Sequence, residues 1–314
     1  MKTRKIGTSR LMSTRLAYGC MRVAATWQPN EVTPERIEAG KKAIIAAYEA
    51  GYTLFDHADI YCRGECERIF RLAMKDVRGM RQRVLIATKC GIRFGADPNP
   101  DSPHRYDFSA EHITWSCEQS LKRLGVERID IYQLHRPDVL MNPQEVAAVF
   151  ARLKKQGKVR EFGVSNFLPS QLTALQTACP MPLIVNQVEI HLGCLACFHD
   201  GTLDQCLAHN ITPLSWSPLG GGFLGTAGQL SKNHPRRATM LALQRLLDKT
   251  VKFYGVSRTV LSLAWLLKHP SGIIPIVGST DPQHIRDAAK ADDVNLSRED
   301  WYRLLVAARG EPLP

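Results

Sequence analysis

Gly51-Tyr52-Thr53-Leu54-Phe55-Asp56-His57-Ala58-Asp59-Ile60-Tyr61 sets an apolar run against a carboxylate and a phenol. Thr53, Leu54 and Phe55 read as a buried strand, and Asp56 stands where that strand emerges. Tyr61 follows in the next turn of chain, so carboxylate and phenol can share one rim. Such a rim suits proton chemistry if the rest of the chain brings a cation and an imidazole to it.

Upstream, Thr33 is an N-cap and Pro34 suits a first helical position, with Ile37, Ile44, Ile45 and Tyr48 as a helical stripe stopped at Gly51. Before that helix, Arg15 to Met21 reads as a first strand entering a corner at Gly19 to Arg22. Downstream the alternation repeats: helix Glu65 to Met74, strand Val84 to Lys89, helix Ser109 to Leu124, strand Ile129 to His135, helix Asn142 to Gln156 and strand Val159 to Ser165. Helix Pro169 to Ala178, strand Leu183 to Glu189, a short helix Leu203 to His209 and strand Ile211 to Ser217 follow. One long helical region, Thr239 to His269, leads to strand Ile273 to Val277, and helices Pro282 to Ala291 and Arg298 to Ala308 close the series.

Eight apolar strands alternating with helices predict an α/β fold, a parallel (β/α)8 TIM barrel in a single domain spanning residues 1–314. A doubly wound open sheet is the competing arrangement. Lys2 to Leu11 reads as a hairpin plugging the barrel floor.

The chain has 314 residues, 44% apolar and 23% charged, a globular composition with no low-complexity tract. Its net charge of +11 favours anionic ligands. The basic residues are scattered without aromatic interleaving, so nucleic acid is not the expected partner. No apolar segment approaches the length of a membrane span and no leader-like apolar run follows the basic start, so a cytoplasmic protein without membrane contact is expected. Nine cysteines, an odd number, argue against a disulfide framework.

In a barrel of this kind chemistry sits at the C-terminal ends of the strands. The polar residues there are Asp56, Lys89, His135, Ser165, Asn166, Gln187 and Ser217, with Tyr61 just beyond Asp56. A neighbouring ammonium favours a phenolate and so would lower the pKa of Tyr61. Lys89 can supply that ammonium, Asp56 can hold it in place, and His135 can orient a carbonyl oxygen and assist proton transfer at Tyr61.

The segments Gly51 to Tyr61, Ala87-Thr-Lys-Cys90, Leu134-His-Arg-Pro-Asp138, Gly157 to Phe167 and Asn186-Gln-Val-Glu189 resemble the aldo-keto reductase family in order and spacing. The likeness is strongest to bacterial oxidoreductases with His-Arg-Pro-Asp after the fourth strand. The resemblance implies a barrel binding an extended nicotinamide cofactor and a catalytic tetrad on Asp56, Tyr61, Lys89 and His135. It implies cofactor contacts from the Gly19, Met21 and Arg22 corner, from Asp56, and from Ser165, Asn166 and Gln187 on the nicotinamide carboxamide. Trp216 would stack on the nicotinamide ring, and Ser217, Pro218, Leu219, Gly220 and Gly222 would wrap the pyrophosphate. Gly278, Ser279, Thr280, Gln283 and His284 would receive the far end of the cofactor. NADP (NADPH) is the expected cofactor: family members that prefer it usually carry a basic residue where His284 stands, and this sequence departs there, but Ser279 and Thr280, with Arg286 nearby, could still hold a 2′-phosphate; Asp281 opposes it, so NAD is also open.

Two motifs are read as decoys. Gly220-Gly-Gly-Phe-Leu-Gly225 matches the dinucleotide fingerprint but follows the seventh strand, so it is read as a flexible phosphate loop. His191-Leu-Gly-Cys-Leu-Ala-Cys-Phe-His199 groups two histidines and two cysteines too tightly for a zinc knuckle, so no metal is expected and loop packing is preferred over a redox pair of Cys194 and Cys197. Cys62 and Cys66, beside Tyr61, would make activity oxidant-sensitive.

The leading reading is an NAD(P)H-dependent reductase of small aldehydes or ketones, a monomer or weak homo-oligomer. A nicotinamide-binding regulatory subunit with little turnover is the alternative, and a Schiff-base role for Lys89 is a third possibility that Asp56 argues against. Trp27, Phe94, His104 and Tyr106 are the residues expected to line the substrate pocket.

Overall fold

The computed structural model describes every residue except 227. Strands Ala17–Gly19, Leu54–Asp56, Leu85–Cys90, Ile129–Leu134, Val159–Ser165, Leu183–Glu189, Thr212–Trp216 and Ile274–Val277 pair in parallel, each with the next. The last pairs with the first, so the sheet closes into an eight-stranded (β/α)8 barrel and the open-sheet alternative falls.

Successive residues of a strand face opposite sides, and this decides what fills the barrel. Leu54, Ala87, Ile131, Leu214 and Ile274 form one buried cluster inside it, joined from below by Ile6 and Leu11. Two residues further along the same strands come Asp56, Lys89, Gln133 and Trp216, so the interior changes from apolar at the floor to polar at the mouth. The expected hairpin is present, with Thr3–Lys5 pairing antiparallel with Met12–Thr14 and the turn between them carrying the two plugging side chains.

Several boundaries differ from the sequence reading. The first strand is short because the chain enters a 3-10 turn at Cys20–Arg22 instead of continuing to Met21. The region Thr239 to His269 is two helices, Arg237–Tyr254 and Arg258–Leu267. Gly255 ends the first of them at φ 64°, a left-handed conformation that glycine adopts without steric cost, and Ser257 then caps the second. Pro282–Ala289 is followed by a 3-10 turn, Lys290–Asp293. A further antiparallel pair, Ile92–Arg93 with Arg105–Tyr106, stands on the loop after the third strand.

The helix Glu65–Asp76 is tied to the barrel by a buried polar network. Glu67, fully buried, accepts from the Thr88 hydroxyl at 2.7 Å and from Arg123 Nε at 2.6 Å. Beside it the Asp59 carboxylate accepts from Ser116 at 2.6 Å, while its other oxygen is shut off from solvent without a partner among the described residues. Burial, with Glu67 nearby, lifts the Asp59 carboxyl to about 7.

A cavity of about 820 Å³ lies at the floor, away from the polar mouth. Its lining includes Arg81, Arg160 and Asp130, and Asp130 is bridged to both arginines at 3.1 and 3.0 Å. This end of the barrel is closed by ion pairs and the hairpin.

Two outcomes follow from this architecture. Ile6→Ala should cost about 2–5 kcal/mol in urea unfolding, as for other fully buried isoleucines, and a loss under about 1 kcal/mol would show that the hairpin does not belong to the core. Asp59 has a folded pKa raised above its unfolded value, so its contribution to stability is complete below about pH 4 and is lost as pH rises through about 7. Asp59→Asn should therefore flatten the fall of the urea midpoint between about pH 4 and 7. A slope unchanged by the substitution would mean that Asp59 does not titrate in this range.

Candidate functional site

The strand ends bring Asp56, Lys89 and Tyr61 into direct contact. Lys89 is fully buried, and its Nζ donates to Asp56 Oδ2 at 2.9 Å, to the His57 carbonyl oxygen at 2.6 Å and to the Tyr61 hydroxyl oxygen at 3.2 Å. An ammonium has three N–H donors, and these are three acceptors. His135 comes from the end of the fourth strand. Its ring centroid lies 6.0 Å from that of Tyr61 in an edge-on arrangement.

Electrostatics favour a charged lysine and a neutral imidazole. Burial works to lower Lys89, but Asp56 and Tyr61 outweigh it and hold the ammonium above its ordinary value. Burial likewise pushes the Asp56 carboxyl up, against the pull of Lys89. His135 is driven well below the ordinary histidine range by burial, then by Lys89 and Arg136. Burial also raises Tyr61, and Lys89 offsets only part of that rise, so the phenol is not lowered as its neighbour alone would suggest.

His57 contributes through its backbone only. Its ring is fully buried at 4.6 Å from the Phe70 ring, and burial pushes it down to about 3.

The expected carboxamide trio is placed together, though with different partners. Ser165 Oγ donates to the Gln187 carbonyl oxygen at 2.9 Å. Asn166 Nδ2 donates to the His135 carbonyl oxygen at 3.2 Å and to Ser165 Oγ at 2.8 Å, while its Oδ1 accepts from Trp216 Nε1 at 2.9 Å. Asn166, at φ 61°, thus clamps the ends of the fourth, fifth and seventh strands. Gln187 Nε2 is buried beside the Asp56 carboxylate, whose charged form it favours, and makes no well-formed hydrogen bond among the described residues. That orphaned donor, beside the half-buried Trp216 indole, fits an amide-bearing flat ring such as nicotinamide.

On the phosphate side, Gly19 pairs in register with Asp56, and Met21 and Arg22 are exposed on the adjoining turn. The loop Ser217 to Gly225 folds back on itself. The amides of Gly220, Gly222, Leu224 and Gly225 donate to carbonyls within the loop, so they are less available to a phosphate than the glycine pattern suggested. Pro218 and Leu219 lie in the same turn.

Gly278 faces open space, while the Ser279 carbonyl accepts from the Tyr18 hydroxyl at 3.0 Å and Thr280 precedes the helix. Asp281 caps that helix, accepting from the amides of Gln283 at 2.7 Å and His284 at 3.3 Å. The helix start expected to take a phosphate is therefore already served by a carboxylate.

Around the mouth, the Trp27 ring lies 6.3 Å from that of Tyr61, while Phe94 and His104 pack on each other at 6.1 Å and His104 on Tyr106 at 6.2 Å. Three residues escaped the sequence reading. Gln133 is fully buried two residues before His135, with neither side-chain amide atom partnered by a described residue. The Arg63 guanidinium lies 5.1 Å from the Phe94 ring centroid, and the Arg136 guanidinium 5.5 Å from that of Trp216. Inward periodicity from His135 points to Gln133, and adjacency in sequence points to Arg136.

All nine cysteines are free thiols, and burial raises Cys62 and lifts Cys66 to about 12, which makes both weak nucleophiles. Cys194 and Cys197 lie in a turn stapled by the His191 and Cys194 backbones. Among the described residues no three His, Cys, Asp or Glu side chains gather at metal-binding distance, and no helix is long and apolar enough to cross a membrane.

This geometry has counterparts. A 6-dehydroglucose reductase of Novosphingobium aromaticivorans is 38% identical over 317 residues, covering 99% of this chain and 97% of that relative. Oxidoreductase YdhF of Escherichia coli is 38% identical over 85% of this chain and 86% of its own length. The solved glycerol dehydrogenase AKR11B4 of Gluconobacter oxydans has the same fold, with a TM-score of 0.86 at 24% identity over 99% of this chain and 97% of its own. Residues 15–306 match the model of the aldo/keto reductase family, and the chain belongs to that family.

Proposed function

We propose that the protein reduces aldehyde or ketone carbonyls to alcohols with a nicotinamide cofactor, NADPH in preference to NADH. The observation that carries this reading is the saturated Lys89 ammonium, with Tyr61 as one of its three acceptors. A lysine so occupied has no free lone pair, which disfavours a Schiff-base role.

The bound nicotinamide supplies the hydride. The protein's own groups handle the proton. Because the Tyr61 oxygen accepts from Lys89, its own O–H is free to donate to a carbonyl oxygen. Burial keeps that phenol protonated before reaction. As the alkoxide develops, the proton passes from Tyr61 Oη to the carbonyl oxygen, and the resulting phenolate faces the Lys89 ammonium. Asp56 balances and aims that ammonium. His135, neutral, offers a ring nitrogen to the carbonyl oxygen and fixes its approach beside Tyr61. Gln187 Nε2 would hold the nicotinamide amide, and the Trp216 indole its ring. The 6-dehydroglucose reductase among the relatives supports a polyhydroxylated aldehyde as a first substrate to try.

Following NADPH consumption with 6-dehydroglucose and 4-nitrobenzaldehyde tests the reading. Tyr61→Phe should lower kcat/KM by about 10²–10⁴-fold while NADPH affinity stays within a few-fold. Equal rates in the two proteins would remove Tyr61 from the mechanism, and tight NADPH binding without turnover would favour a regulatory role.

Cofactor choice has its own test. The Asp281 carboxyl is held below its ordinary value by the amides of Gln283 and His284, so it stays charged at the helix start where a 2′-phosphate would sit. Asp281→Asn should tighten NADPH several-fold in fluorescence titrations and leave NADH unchanged. A parallel shift for both cofactors would place the phosphate elsewhere.

A further inference from the structure

We propose that Arg136 forms an anion-binding subsite at the mouth, and that the preferred substrates carry a carboxylate close to the reacting carbonyl. The proposal deepens the carbonyl-reductase reading and rests on it for the reaction, though not for the anion.

Arg136 directly follows His135 and is half-buried, its guanidinium lying over the Trp216 ring at 5.5 Å. Among the described residues it has no hydrogen-bond or ion-pair partner, although acids stand close to it or to Trp216 along the chain or in strand register. Each of those acids is committed elsewhere. Asp138 accepts from the Phe108 and Leu140 amides, and Glu189, the register partner of Trp216, meets His191 at 3.2 Å. Asp107, on the neighbouring loop, meets Arg93 at 2.9 Å.

A guanidinium partly withdrawn from water without an anion keeps an unmet charge, which a ring face compensates only weakly. Resting over an indole leaves its N–H fork free of protein acceptors among the described residues. That is the arrangement a carboxylate engages through two parallel N–H donors, and a charge-assisted bidentate pair is among the stronger hydrogen-bonded contacts a protein can make. Arg136 lies over Trp216, and the Trp216 indole is tied through Asn166 to the His135 carbonyl, so one small molecule can meet both an anion site on Arg136 and a carbonyl site beside His135. Arg63 adds a second cation without an acidic partner, over Phe94, on a backbone where Cys62 and Arg63 both take left-handed φ of 46° and 49°.

The experiment compares 4-carboxybenzaldehyde with 4-nitrobenzaldehyde, two activated aldehydes that differ in charge, using NADPH-loaded wild type and Arg136→Met. Methionine keeps an apolar stem on Trp216 and removes the fork. The KM for the carboxylate should rise about tenfold or more, with kcat and KM for the nitro compound within about twofold, and Arg136→Lys should recover part of the loss. An equal change for both aldehydes, an unchanged KM for the carboxylate, or a loss that follows weakened NADPH affinity would overturn the proposal. Benzoate titration of the NADP-loaded protein by tryptophan fluorescence provides a readout without turnover. Weaker benzoate binding in Arg136→Met supports the subsite even if neither aldehyde is reduced, a result that would count against the reductase reading alone. Equal benzoate affinity in the two proteins overturns the subsite.

Discussion

A fully buried lysine charge organises this molecule. Withdrawing an ammonium from water is costly unless each N–H finds an acceptor, and at Lys89 the carboxylate of Asp56, the carbonyl of His57 and the hydroxyl of Tyr61 fill all three places. Those partners come from one stretch, Asp56 to Tyr61, whose path is held by backbone bonds to the third strand. The His57 amide donates to Ala87 O at 2.8 Å and the Asp59 amide to Lys89 O at 3.1 Å. The loop carrying the phenol is thereby pinned to the strand carrying the cation. Tyr61 is placed by the requirements of Lys89 as much as by its own packing.

The same logic extends around the mouth through Asn166. Its amide ties the His135 carbonyl, the Ser165 hydroxyl and the Trp216 indole together, so the groups at the ends of three strands keep their spacing without a ligand. Positioning of this kind lets a site act without reorganising at the moment of reaction. Behind it, Glu67 bonds to Thr88, the residue next to Lys89, and so supports the third strand from its outer face. Polar residues of the inner face gather at the mouth, and those of the outer face hold the strand.

The barrel was legible because its signals are local. Ile129 to Leu134 is wholly buried with Asp130 and Gln133 its only strongly polar members, and Thr33, Asn142 and Ser257 cap helices by bonds to residues two or three further along. The gathering of Asp56, Tyr61, Lys89 and His135 was legible for a related reason, since strand ends in a parallel barrel all open on one rim. What escaped depends on partners distant in sequence or on backbone conformation. Apolar residues at Val251, Tyr254, Val256 and Val260 carry a helical reading across this stretch, and the left-handed Gly255 breaks it. Asn166 looked available to a ligand because its bonds reach across to residues 31 positions earlier and 50 later. The pair Ile92–Arg93 and Arg105–Tyr106 is too short to alternate visibly, and Arg93 secures its loop through Asp97 and Asp107.

Net charge is the feature whose meaning changed most. At +11 the chain could have favoured any anion, and composition does not say where the excess lies. At the floor, Arg81 and Arg160 neutralise the buried Asp130, so basic residues there close the barrel. At the mouth, Arg93 is spent on Asp97 and Asp107, and Arg68 on Glu65. Among the described residues, Arg136 and, further out, Arg63 lie over aromatic rings without an acid. Cations that hold a fold together are found paired, whereas a cation meant for a ligand must be left without a protein partner and kept oriented by a surface that does not neutralise it. An aromatic face satisfies both conditions, and for that reason the stacking on Trp216 carries more functional meaning than the overall charge.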